Sequence, residues 1–90
     1  MGSNMTLDSA QDLGLRALGW VAEQGHIEAF LSLTGLSAHE LRTRSEDPHM
    51  LAAVLSFLLG NEALASAFCS QETVSGPDLH LAERVLGDAT

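Results

Sequence analysis

Apolar positions along this chain recur every three to four residues and nowhere alternate in a sustained way, which is the signature of amphipathic helices. β-Branched residues are scarce, and the turn-forming residues sit where helices would stop and start. From an N-cap at Asp8 or Ser9, the spacing predicts a first helix to about Gln24, stopped by Gly25. Helical rotation puts Leu13, Ala17, Trp20 and Val21 on one side, with Leu15, Leu18 and Ala22 widening that face. Asp12, Arg16, Gly19 and Glu23 form the opposite strip. A second helix, from about Ile27 to Thr34, turns Ile27, Phe30 and Leu31 inward. Gly35 suits a left-handed C-cap, with Leu36 folding back.

The next boundaries carry stronger chemistry. Ser37-Ala38-His39-Glu40 is a capping box, so a third helix starts there and ends near Arg44. Asp47-Pro48 is an N-cap followed by proline at the first helical position. The fourth helix, Pro48 to Leu59, is apolar over most of its circumference, leaving a narrow strip at His49, Ala53 and Ser56. Such a helix belongs in the middle of a fold. Gly60-Asn61 breaks and recaps the chain. The fifth helix carries Leu64, Ala65, Ala67 and Phe68. Ser75-Gly76-Pro77-Asp78 opens a sixth, with Leu79, Ala82, Val85 and Leu86 inward and Gly87 at its end.

A shift of 38 residues places Leu13 on Leu51, Ala29 on Ala67 and Phe30 on Phe68. It also places Ser32 on Ser70, Ser37 on Ser75 and Leu41 on Leu79. Two readings stay open: a duplicated three-helix unit related by a pseudo-dyad, or chance self-alignment of a helical chain rich in Leu, Ala and Ser. The fold class is all-α in either case, a compact bundle of five or six short helices. Residues 1–6 are expected to be a disordered N-terminal segment or a cloning remnant, and residues 7–90 a single helical domain.

Composition narrows the function. The chain has 90 residues, enough for one core and too few for a two-domain enzyme. Twelve Asp and Glu stand against four Lys and Arg, for a net charge of -8. All four cations are arginine. Such a surface repels phosphate backbones and anionic membranes, so neither nucleic acid nor a membrane is an expected partner. A basic partner is the electrostatically natural one, although acidity also serves solubility alone. Cys69 is the only cysteine, so no intrachain disulfide is needed. No basic region followed by an apolar run opens the chain, and Met50 to Leu59 is too short to span a bilayer. The expected location is the cytoplasm.

Candidate chemistry is sparse. His26, His39, His49 and His80 include no i, i+4 pair, and no metal-binding motif is present, so no metal or other cofactor is expected. Cys69 lies near the C-terminal end of its helix, where the dipole disfavours a thiolate, and reads as a packing residue. Without lysine a Walker A loop is impossible, and no Gly-x-Ser-x-Gly elbow appears. No catalytic residue is therefore named, and the chain reads as non-enzymatic. Three residues are binding candidates. Arg42 and Arg44 are the only local concentration of positive charge, and Arg42 has no i, i+4 partner within its helix. Glu40 and Arg44, like Asp12 and Arg16, are spaced for i, i+4 pairs. Trp20 is either a core residue or an exposed anchor. The first and fourth helices carry apolar arcs broader than one packing partner needs, which marks an interface.

The run Ala17-Leu18-Gly19-Trp20-Val21-Ala22, then Phe30-Leu31-Ser32-Leu33-Thr34-Gly35-Leu36, resembles a known family. So do Asp47-Pro48, Leu51-Ala52-Ala53-Val54-Leu55-Ser56-Phe57-Leu58-Leu59 and Ala67-Phe68-Cys69. In order and spacing these are similar to the small, mainly alphaproteobacterial proteins catalogued as domain of unknown function 3572. The resemblance covers roughly Leu13 to Cys69 and extends toward the last helix, so most of the chain. It implies a bacterial, cytoplasmic, all-helical protein and brings no activity and no site residue. Residues and resemblance together lead to a protein of unknown function. The leading expectation is a protein–protein interaction module, either an adaptor or a homodimer. The alternative is a small-molecule sensor with an apolar pocket between helices near Trp20, Phe57 and Phe68.

Overall fold

The computed structural model describes residues 5–88. Six helices follow one another among them: α1 Leu7–Glu23, α2 Ile27–Thr34, α3 Ala38–Thr43, α4 Pro48–Leu59, α5 Glu62–Glu72 and α6 Gly76–Gly87. No strand occurs among the described residues. α1, α4 and α6 pack on one another and build the core, with α5 against α4 and α6. The radius of gyration, 12.2 Å, is that of a folded chain of this length.

Local chemistry sets most boundaries. Ser37 and Glu40 form the reciprocal capping box, each bond 3.1 Å long. The Asp47 carboxylate accepts from the His49 N–H at 2.9 Å, and Pro48 follows where an unused N–H would be. Asn61 caps α5 and Ser75 caps α6. Gly35 closes α2 at φ 76°, and Thr73 closes α5 at φ 56°. These two left-handed caps are 38 residues apart, as are the N-caps Ser37 and Ser75. The other boundaries depart from that spacing, the N-caps Thr6 and Asp47 being 41 residues apart and His26 and Asn61 35 apart. The third helices differ too: α3 has six residues and α6 twelve. Only α6 is long enough to lie along both α1 and α4.

The start of α1 departs from expectation. Thr6, not Asp8 or Ser9, is the N-cap, its hydroxyl accepting from the Ser9 N–H at 3.1 Å. Met5 packs against the core. The folded part therefore takes in two residues of the expected N-terminal tail, while residues 1–4 lie outside the described residues. The inner face of α1 is rotated as well. Ala10 and Gly14 join Leu13, Ala17, Trp20 and Val21 in the core, whereas Leu15 and Ala22 are exposed. The cause is the crossing with α4. Gly14 lies so close to Leu51 that an added Cβ would stand 2.8 Å from the Leu51 Cβ. The core side of α1 is the one that meets both α4 and α6, and Leu15 lies beyond it.

Phe30, Phe68, Leu51, Leu55, Leu58, Leu79 and Leu86 are fully buried. Trp20 packs edge-to-face on Phe68, and Phe30 on Phe57, both at 5.6 Å between ring centroids.

Candidate functional site

Of the three binding candidates, Trp20 is withdrawn into the core. Its ring is buried against Phe68, and its indole N–H donates to the Gln71 Oε1 at 2.8 Å. Both the apolar body and the polar tip are satisfied internally, so it offers a partner nothing. Arg44 is exposed and pairs with Asp47 at 3.2 Å, not with Glu40, whose carboxylate is engaged in the capping box. Arg42 is exposed and makes no hydrogen bond or ion pair among the described residues. Arg44 lines a small cleft of about 190 Å³ with Thr34, Leu36, His49, Met50 and Ala53. Trp20 does not share that cleft, so the three candidates form no single site.

The expected pair of Asp12 and Arg16 is also replaced. Arg16 reaches from α1 to the end of α5, where it bonds the Glu72 carboxylate at 3.2 Å and the Glu72 carbonyl at 3.0 Å. Together with Trp20–Gln71 it ties the last turn of α5 to α1. These partners are 51 and 56 residues apart in the chain, beyond any local spacing rule.

The space near Trp20, Phe57 and Phe68, where a sensor pocket was expected, is occupied by the two edge-to-face ring pairs. The larger cleft lies elsewhere. It measures about 520 Å³ and is open to solvent. Leu13, Val74 and Met5 give it apolar walls, and Asp8, Asp12 and Asp78 line it with carboxylates. Asp8 and Asp78 stand in the first turns of α1 and α6, where negative charge is favoured.

On the flank of α1 next to Asp8 and Asp12 runs an apolar strip. Leu7, Leu15, Leu18 and Ala22 lie along it, with Gln11 between Leu7 and Leu15 donating to the Glu46 carbonyl at 2.9 Å and Leu18 half-buried against the core. Leu7 is 42% exposed and Leu15 41%; on α2, Leu33 is 74% exposed. Asp8, Asp12 and Glu23, all exposed, border the strip. The pattern places Leu15, Leu18 and Ala22 on the widened edge of the apolar face of α1. The only signal of its exposure was the excess width of the apolar arc.

Cys69 is half-buried, and burial pushes its thiol above the ordinary range. The Asp47 carboxyl is held below its usual value, chiefly by the His49 backbone N–H, with Arg44 assisting against a small opposing effect of burial. Among the described residues no three of His, Cys, Asp and Glu come together as a metal-holding group. No single helix there is long and apolar enough to cross a membrane, and α4 and α5, apolar enough together, are bent by 110°.

Residues 7–89 match the family described as Protein of unknown function (DUF3572), and the chain belongs to that family. The match runs beyond the Leu13–Cys69 resemblance at both ends and takes in α6. Among curated proteins and among solved structures, nothing matches it.

Proposed function

We propose that this chain is a non-enzymatic protein-binding module of the bacterial cytoplasm, and that it docks through the outer flank of α1. The observation that carries the reading is the strip of Leu7, Leu15, Leu18 and Ala22. Leucines scattered singly on a surface need no explanation. Leucines aligned on the outside of a helix whose other side already builds the core are what a partner covers.

The test is a tagged pull-down from the source bacterium's extract with three baits: the unaltered chain, Leu15→Glu and Arg42→Ala. Leu15 is already in contact with water, so the Glu variant should melt within about 0.5 kcal/mol of the parent. A stoichiometric protein retained by the parent and by Arg42→Ala, but lost by Leu15→Glu, supports the reading. Equal retention by all three baits, or by none, overturns it.

A further inference from the structure

We infer that the segment docked on α1 is a basic amphipathic helix of another protein and not a second copy of this chain; the inference rests on the docking reading above. The argument is charge complementarity along an apolar face. From Leu7 to Ala22 the strip runs about 22 Å at 1.5 Å per residue, which matches four turns of a partner helix. Helices seated in apolar grooves present anchors at i, i+3 or i+4 and i+7, the spacing this strip offers in reverse.

What borders the strip selects the partner. Its polar edge carries Asp8, Asp12 and Glu23. The one cation on that side of α1, Arg16, is already paired with Glu72 at 3.2 Å. The border is therefore net negative, within a chain of net charge -8 that lacks lysine. Past Asp8 and Asp12 lies the cleft of about 520 Å³, with Leu13 and Val74 beneath and Asp78 opposite. With Asp8, Asp12 and Asp78 on its lining and the Arg16 guanidinium there held by Glu72, this apolar-floored cleft suits a Lys or Arg side chain, whose methylene stem packs while its head meets the carboxylates. A second copy would bring the same carboxylates to the same edge, and like charges facing each other across an interface are strongly disfavoured.

The probe is a synthetic helix-forming peptide of Leu and Lys, about 15 residues long to match the strip. Its controls are a Leu/Glu peptide of the same pattern and a scrambled Leu/Lys peptide with no apolar face. Each is titrated into the isotope-labelled full chain and followed by amide chemical shifts. The patterned basic peptide should shift α1 and residues 73–78 and bind at least about tenfold more tightly than the scrambled one, a gap of about 1.4 kcal/mol. Leu15→Glu should remove that advantage. Asp8→Asn with Asp12→Asn should weaken binding and flatten its salt dependence. Equal binding of the scrambled peptide, shifts elsewhere, or binding of the Leu/Glu peptide overturns the inference. So does a dimer in sedimentation that Leu15→Glu dissociates. If a natural partner needs Leu15 but cross-links to α1 through an acidic or uncharged segment, the docking reading stands and this inference falls.

Discussion

Gly14→Ala isolates the contact that orients the whole of α1. In an exposed helix interior, Gly→Ala stabilises by about 0.8–1 kcal/mol through backbone entropy. At Gly14 that gain meets a steric cost. The added Cβ would lie 2.8 Å from the Leu51 Cβ and 3.3 Å from its Cγ and Cδ1. Carbon atoms prefer a separation of about 3.5–4.0 Å. The nearest atom is a Cβ fixed to a buried backbone, so no rotamer change moves it away. α1 and α4 must separate, and overpacking of this kind costs about 1–3 kcal/mol. Taking the upper part of that range, because backbone must move, the net destabilisation is about 1–2 kcal/mol. For a domain of this size each kcal/mol lowers Tm by roughly 4–8 °C.

Gly19→Ala is the matched control. It sits in the same helix, and nothing lies within 4 Å of an added Cβ. That variant should gain about 0.8–1 kcal/mol. Urea unfolding, read by far-ultraviolet circular dichroism and by the buried Trp20, measures both. A Gly14→Ala protein as stabilised as Gly19→Ala would refute the close α1–α4 crossing, and with it the account of why Leu15 faces solvent.

Three further outcomes are expected. Thr73 holds φ 56° with a β-branched side chain where the corresponding cap in α2 is Gly35, so Thr73→Gly should raise stability by up to about 1 kcal/mol; no gain would mean that the left-handed cap is unstrained. Asp47 has a depressed folded-state pKa, so its cap contribution is complete above the unfolded value of about 3.9 and is lost as pH falls through the lower folded value; Asp47→Asn, which keeps a cap but does not titrate, should flatten that acid limb of the urea midpoint, and an unchanged limb would contradict the assignment. Cys69, its thiol raised by burial, should react with iodoacetamide more slowly at neutral pH than a free thiol does, and rapid reaction there would reopen nucleophilic chemistry.

Sequence by itself determined most of the helix boundaries, because what ends a helix is local; that there are six helices and not five is settled by the structure. A Ser37 hydroxyl finds the Glu40 N–H three residues on, and a Pro48 ring fits only a first turn. It also determined that α4 is central, since a helix apolar all round has no other stable place. The start of α1 was misplaced by two residues because Thr6, Asp8 and Ser9 are all competent caps and only geometry chooses among them.

Tertiary structure alone decided which half of α1's broad apolar arc faces in. Periodicity gives the width of an arc and not its centre. The centre was set by packing against α4 and α6, with Gly14 at the close approach to Leu51 and Leu15 outside it. It also decided the partners of Arg16 and Trp20, Glu72 and Gln71, which are brought together only when α5 folds back on α1. The docking strip was therefore present in the sequence as surplus hydrophobicity. It became a surface only through how α1 packs on α4 and α6.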